Sequence, residues 1–191
     1  MNGLGMRLPL YSKMLDISMC VFRKTFMKKK GLSMQGSDSM EYNEALRQAA
    51  TLCSRQEQCS NQIMEKLNHW NISEDDSLRI IELLQKEKYL DDQRYATFYT
   101  RDKFRLNGWG KVKITVMLRR KGIPESVIKA ALSEIDDETY FNACAKLISE
   151  KSATLREKNH FARKGKLFRH AAQRGFESEL IHRILNKNLP E

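Results

Sequence analysis

Two segments of this chain, residues 120–128 and 173–181, carry the same pattern of charge, glycine and apolar residues at a constant offset of 53 residues. In both, a basic residue, a glycine and an apolar residue precede a polar stretch and two adjacent apolar residues. A weaker copy, with Asn71 in the glycine position, lies at residues 69–74. Repeats of about 50 residues are too small to bury a large core alone, so neighbouring copies stack on one another. The sequence therefore predicts a tandem array.

Regularly spaced apolar residues predict one helix after another from Met40 onward. They recur at steps of three and four residues, as at Leu46 and Ala49, and such spacing lines one face of an α-helix. It also assigns Leu78 and Phe161 to apolar faces. Only 3 Pro and 9 Gly interrupt the chain, too few for an all-β fold with many tight turns. We predict an all-α fold, an elongated, curved tandem array of three three-helix repeats at residues 40–90, 91–135 and 136–191.

Residues with special backbone preferences mark the predicted helix ends. Ser60, Ser73 and Asp91 stand where their side chains can accept hydrogen bonds from first-turn amides. Asn71 and Gly122 tolerate the left-handed conformation in which many helices end. The repeated segments are therefore predicted to be helix ends, each followed by the start of a new helix.

The first 39 residues lack this periodicity and are predicted to form a basic, disordered N-terminal extension. They contain the triplet Lys28–Lys30, followed by a Gly- and Ser-rich stretch at residues 31–39. Two interpretations stay open. The segment either serves as a DNA-binding arm or results from an upstream start codon, with the true start at Met27, Met34 or Met40.

The net charge of +10 is distributed in alternating blocks. Residues 99–130 hold nine Lys or Arg against two Asp or Glu, residues 156–187 nine against three, and residues 41–98 seven against eleven. Basic blocks with aromatic residues suit nucleic acid, because cations displace counterions from phosphates and rings stack on bases. The alternative is a solvated basic face with Trp109 buried between repeats. The candidate nucleic-acid or filament-binding residues are Arg101, Arg105, Trp109, Lys111, Lys113, Arg119, Arg120, Lys121, Arg163, Lys164, Lys166, Arg169 and Arg174.

No catalytic residue, metal site or cofactor site is predicted. The chain has no phosphate-binding loop of the Walker type, its four cysteines form no CxxC pair, and its four histidines are scattered. Helix capping explains the acidic pairs at 75–76, 91–92 and 136–137, although a metal-dependent nuclease remains an alternative. No apolar run reaches the roughly 20 residues that span a bilayer. We therefore expect a cytoplasmic protein that is not an enzyme and does not enter a membrane.

Three short motifs together resemble the pattern of the RecX regulatory family. They are the box Tyr89–Ala96 (YLDDQRYA), the turn Gly108–Gly110 (GWG) and the break Leu118–Ile123 (LRRKGI). The resemblance covers roughly residues 40–188, and the first repeat departs from the pattern most. Members of this family are built of tandem three-helix repeats, which agrees with the repeat found independently above.

The resemblance implies a non-catalytic regulator of the RecA recombinase. Such proteins bind in the groove of the RecA–DNA filament, limit its growth, and inhibit strand exchange and the coupled ATP hydrolysis. They also bind single- and double-stranded DNA and act in DNA repair, recombination and the SOS response, and we expect a monomer. A competing interpretation is a stand-alone DNA-binding protein, because residues 114–132 read as helix, glycine turn and helix, like a helix-turn-helix motif.

Overall fold

A computed structural model of the protein describes residues 41–188, and these lie in one compact unit. The predicted extension at residues 1–39 lies outside the described residues. Over the described range the secondary structure is entirely helical. The helices are α1 Tyr42–Arg55, α2 Ser60–His69, α3 Glu74–Lys86, α4 Asp92–Arg105, α5 Lys111–Arg120, α6 Glu125–Ser133, α7 Asp137–Thr154, α8 His160–Arg174 and α9 Ser178–Asn188.

Extensive helix–helix packing occurs within three successive triads, α1–α3, α4–α6 and α7–α9. In each triad the first helix packs on both of the others, and the second packs on the third. The predicted all-α repeat array is therefore confirmed.

The three predicted copies of the repeat share one backbone arrangement at the end of the second helix. Asn71, Gly122 and Gly175 all adopt positive φ angles, of 58°, 74° and 91°. The amide of the apolar residue that follows each of them donates to the carbonyl five positions earlier, as from Ile123 to Leu118 at 3.2 Å. This pairing is the Schellman motif, which satisfies carbonyls that a helix end would otherwise leave unpaired. Asn71 performs in the first triad the role that glycine has in the others.

Side chains cap most of the predicted helix starts. Ser73 accepts a hydrogen bond from a first-turn amide of α3, and Asp91 accepts the amide of Arg94 at 2.9 Å. Asp136 accepts the amide of Thr139, and this bond lowers the pKa of the Asp136 carboxyl. The prediction for Ser60 is wrong: the residue before it occupies the capping position, and Ser60 is the first residue of α2.

Two apolar side chains do not lie on the faces to which their spacing assigned them. Leu78 is 47% exposed, because α3 buries Ile80 and Leu84 instead. Phe161 is 87% exposed, while α8 buries Leu167 further along the helix. Spacing alone therefore did not identify which apolar residues of these helices are buried.

The second and third triads meet where the start of α5 docks on the end of α8. The Gly110 amide donates to the Arg174 carbonyl at 2.9 Å, and the Val112 amide donates to the Gly175 carbonyl at 3.1 Å. The ring of Phe104 packs against the buried cores of both triads. Backbone hydrogen bonds and a shared aromatic ring therefore hold this joint.

The first helix of the third triad completes the joint from the side. The Lys111 amide donates to the Tyr140 hydroxyl at 2.9 Å, and that hydroxyl donates to a Glu177 carboxylate oxygen at 2.6 Å. The Lys111 ammonium lies 3.3 Å from a carboxylate oxygen of Asp137, the first residue of α7. Burial, with the contribution of Glu177 second, raises the pKa of the Tyr140 phenol, so the phenol stays a donor.

The first and second triads are joined in the same way. The thiol of Cys59, which precedes α2, donates to the Lys121 carbonyl at 3.7 Å. Lys121 holds the same place in the repeat as Arg174, whose carbonyl accepts the Gly110 amide. The Ser60 amide donates to Asp92, the first residue of α4, at 2.8 Å. Cys59 also lies in the buried core of the second triad. One kind of joint is thus used twice.

We expect Tyr140→Phe to lower the free energy of unfolding by about 1–3 kcal/mol, the range for leaving a partly buried donor without its acceptor. Urea unfolding followed by circular dichroism measures the change. Tyr95→Phe is the matched control. Tyr95 holds the same place in α4, but its hydroxyl makes no hydrogen bond with the described residues. Equal losses for the two variants would contradict a bridging role for the Tyr140 hydroxyl.

Candidate nucleic-acid interface

Three of the predicted binding cations are held by contacts that support the fold. Lys111 lies in the joint described above, and only 22% of its side chain is exposed. Arg163 donates to the Ser152 carbonyl in the last turn of α7 and to the Leu155 and Glu157 carbonyls that follow this helix. Arg174 donates to the Asn107 carbonyl across the joint at 2.9 Å. These residues have less freedom to meet a partner than their charge alone suggests.

Three further predicted cations form ion pairs at the surface. Arg119 makes two hydrogen bonds to the Glu125 carboxylate, at 2.8 and 2.9 Å, and these raise its pKa. Lys166 lies 2.6 Å from Glu157, and Arg101 lies 3.6 Å from Glu134. Exposed pairs of this kind are worth about 0–1 kcal/mol, so a phosphate can replace the carboxylate at little cost.

A different arrangement surrounds the turn between α4 and α5. The ammonium of Lys103 lies 5.3 Å from the ring centres of both Tyr99 and Trp109. The Lys113 ammonium lies 4.5 Å from the Trp109 ring centre. Lys121 lies 5.7 and 5.8 Å from the rings of Tyr95 and Tyr99. We call these residues the lysine–aromatic face; it consists of Tyr95, Tyr99, Lys103, Trp109, Lys113 and Lys121.

The lysines of this face keep their charge available. None of the three forms an ion pair with a carboxylate in the part of the chain that the structure describes. Each is held over a ring by a cation–π attraction of about 0.5–1 kcal/mol at an exposed site. The rings fix the ammonium groups without neutralising them, which suits a surface that must attract phosphates.

Trp109 is neither fully buried nor fully exposed. Its ring is half-buried and packs against the core of the second triad. The rest of the ring carries Lys103 and Lys113. Trp109 therefore orders two cations from a fixed position.

Lys103 was missed by the sequence analysis, and it contacts two of the rings. Its spacing of four residues from Tyr99 places both on one helix face and could have identified it. The remaining predicted cations are without a carboxylate partner among the described residues: Arg105, Arg120, Lys164 and Arg169. Arg120 lies seven residues after Lys113, which places it on the same side of α5.

Neither a reactive thiol nor a cluster of metal ligands is found among residues 41–188. Cys53, Cys59 and Cys144 are buried free thiols, and burial raises the pKa of Cys53 to about 11 and that of Cys144 to about 12. Such thiols are poor nucleophiles at neutral pH. In the same range, no three His, Cys, Asp or Glu side chains cluster closely enough to hold a metal ion. The helices described there are also too short or too polar to cross a membrane.

Two family models match most of the second and third triads. The model for the second three-helix domain of RecX matches residues 91–132, and the model for the third matches residues 138–185. The chain is 30% identical over 128 residues to the regulatory protein RecX of Clostridium perfringens strain 13, which covers 66% of this chain and 59% of the relative. It is 28% identical over 171 residues to that of Clostridioides difficile strain 630, covering 86% and 80%.

The chain thus spans about three fifths of the length of the Clostridium perfringens relative and four fifths of the Clostridioides difficile one.

The fold also matches solved structures. The crystal structure of RecX from Lactobacillus salivarius superposes with a TM-score of 0.71 at 21% identity, covering 76% of this chain and 95% of that one. A second crystal structure, of a regulatory protein RecX, gives a TM-score of 0.67 at 23% identity. The chain therefore belongs to the RecX family of regulatory proteins.

Proposed function

We propose that this protein is a non-catalytic regulator that binds the RecA–DNA filament in the cytoplasm and inhibits the recombinase. It limits filament growth, and strand exchange and the coupled ATP hydrolysis fall as a result. Membership of a family whose relatives are named regulatory proteins supports a regulatory role. The observation that supports contact with the DNA of the filament is the lysine–aromatic face.

The arrangement of charge on that face suits the phosphate backbone of a nucleic acid better than it suits the carboxylates of a protein surface. Three lysines that pair with no carboxylate of residues 41–188 lie around two adjacent helices, and Arg120 extends the charge along α5. Each lysine that neutralises a phosphate releases a counterion, which favours binding at low salt. Because the rings already order the lysine side chains, these side chains lose less conformational entropy when they bind. In this proposal the array follows the filament groove with this face toward DNA.

The alternative of a sequence-specific helix-turn-helix reader has less support. In such a motif the second helix enters the major groove and reads bases with its exposed side. That helix would be α6, whose exposed positions are Glu125, Ser126, Lys129, Ala130 and Ser133. One cation is balanced there by one carboxylate, whereas the unpaired lysines lie on and beside α4 and α5. The geometry favours contact with the backbone of nucleic acid.

We expect the protein to slow ATP hydrolysis by RecA on single-stranded DNA at less than one copy per recombinase subunit. A regulator that caps or bridges a filament affects many subunits at once, which is why substoichiometric amounts suffice. A coupled ATPase assay over a range of protein concentrations measures the effect, with DNA binding followed in parallel. An unchanged rate at saturating protein would exclude the proposal. Protection of one specific duplex sequence in a footprint would favour the helix-turn-helix reader.

A further inference from the structure

A groove of about 640 Å³ lies between α8 and α9, and it shares no residue with the lysine–aromatic face. Its exposed apolar surface comes from Phe161 and Phe168, with the buried Leu185 behind them, and its cations are Lys164 and Arg169. Lys166 and two histidines lie at the edge, and no Asp or Glu lines the groove. An apolar floor inside a positive rim is typical of a surface that receives an amphipathic partner.

Phe161 makes this groove unusual for a small helical unit. The ring is 87% exposed, although burying a phenylalanine is worth about 1.5–3 kcal/mol in principle. Phe161 is the second residue of α8, and the second residues of α2 and α5 are Asn61 and Val112. Both of those contact the following triad, Asn61 beside Gly122 and Val112 at Gly175. The second helical position, through which α2 and α5 contact the following triad, thus carries an uncovered aromatic ring in α8.

Gly165 supplies a second, independent observation. It lies inside α8 and lines the groove, yet a Cβ atom at this position would meet nothing within 4 Å. Glycine weakens a helix interior, and no contact within the described residues requires it here. Its absent side chain leaves space for the backbone of a partner to approach α8 closely, between Phe161 and Phe168.

The balance of groups favours a peptide over a nucleic-acid strand. Phe168 already packs against the ring of His182, with centroids 4.8 Å apart, whereas Phe161 is mostly uncovered and offers an open ring face. The lining cations Lys164, Lys166 and Arg169 lie beside apolar rings, a mixture that suits a partner carrying both apolar and acidic groups. Most of the exposed surface of the groove is apolar. These features fit a helix that presents apolar residues on one side and a few carboxylates at its edges.

We propose that the α8–α9 groove is a docking site for an acidic, amphipathic helical segment of a protein partner. Apolar residues of that segment cover Phe161 and the exposed part of Phe168, its backbone passes over Gly165, and its carboxylates meet Lys164 and Arg169. The site is separate from the lysine–aromatic face, so it does not depend on the function proposed above. The basic N-terminal residues of this chain have the wrong charge for the rim, with seven Lys or Arg against two Asp or Glu in residues 1–40.

Fluorescence anisotropy of the full chain with a labelled helical peptide, leucines on one face and glutamates on the other, tests the proposal. We expect saturable binding that weakens about tenfold in Phe161→Ala, as for an anchor residue at an interface. Gly165→Ala should also weaken binding while raising the melting temperature, a combination that loss of fold cannot produce. Phe98→Ala is the control, because Phe98 is 45% exposed on a different helix and should leave peptide binding unchanged.

Three results would overturn the proposal. They are no saturable binding of the acidic peptide, equal binding of a peptide with lysine in place of glutamate, and wild-type affinity in Phe161→Ala. Competition by a poly(dT) oligonucleotide that is lost in Phe161→Ala would instead make the groove a nucleic-acid site. Substitution of Lys103, Lys113 and Lys121 should not change peptide affinity, which separates this test from that of the proposed function.

Discussion

Replacing Lys103, Lys113 and Lys121 together by glutamine is expected to weaken binding to single-stranded DNA about 10- to 100-fold at low salt. Glutamine keeps a polar chain over each ring but removes the charge that attracts phosphate. The dependence of log affinity on log salt should become shallower by about 2, close to 0.7 for each lost contact on a single strand. Anisotropy of a labelled poly(dT) oligonucleotide over a salt series measures both quantities.

A second triple substitution controls for net charge. Lys66, Lys86 and Lys129 are exposed and lie outside the face, so their replacement by glutamine makes the same change in total charge. We expect this control to keep most of the affinity and the salt dependence of the wild type. Equal losses in both triple variants would show that binding follows overall charge and would contradict a localised interface. The ATPase assay on the same variants then asks whether DNA contact is needed for regulation.

Glycine-to-alanine substitutions at the joint of the second and third triads are expected to give the largest losses of stability. Gly110 has φ −79°, which any residue adopts, but a Cβ there would lie 2.1 Å from the Gly175 carbonyl oxygen. Gly175 has φ +91°, and its Cβ would lie 2.3 Å from the Cβ of Lys113. We expect Gly110→Ala to cost about 1–3 kcal/mol from overpacking and Gly175→Ala about 2–5 kcal/mol, since left-handed strain is added.

Two other glycines separate the causes in urea unfolding experiments. Gly108 has φ +63° with open space around its Cβ position, so Gly108→Ala should cost only the strain of about 1–2 kcal/mol. Gly165→Ala has neither penalty and should stabilise α8 by about 0.5–1 kcal/mol. A loss in Gly110→Ala no larger than that in Gly108→Ala would mean that the joint adapts to the extra methyl group. The docking of α5 on α8 would then be less tight than the backbone hydrogen bonds indicate.

Local signals in the sequence predicted the helices and their ends well, since capping and glycine act over a few residues. The spacing of apolar residues and the residues Ser73, Asp91 and Gly122 gave the elements and the repeat. The sequence did not show which distant residues those helix ends contact. The Gly110 amide, for example, pairs with a carbonyl 64 residues later in the chain, and no local pattern specifies such a pairing.

The candidate interface was predicted less well than the fold, for a physical reason. A sequence shows where cations are, but it does not show which of them are already paired. Arg163 is held by the end of α7, and Arg119 is paired with Glu125, although both looked available. Lys103 was overlooked because its position depends on Trp109, a ring from the turn after its own helix, as well as on Tyr99. The assignment of any of these residues to nucleic acid stays a prediction until the variants are measured.

The two joints connect unlike surfaces, the start of a second helix on one side and the left-handed residue of the next triad on the other. Such a contact gives the array a direction, and it does not close on itself as a twofold contact would. Duplication of a gene segment encoding one triad would therefore create a copy with the same two kinds of docking surface, with only its side-chain contacts left to adjust. Changes in the number of units need no new interface, so the length of the molecule can evolve separately from the chemistry of its faces.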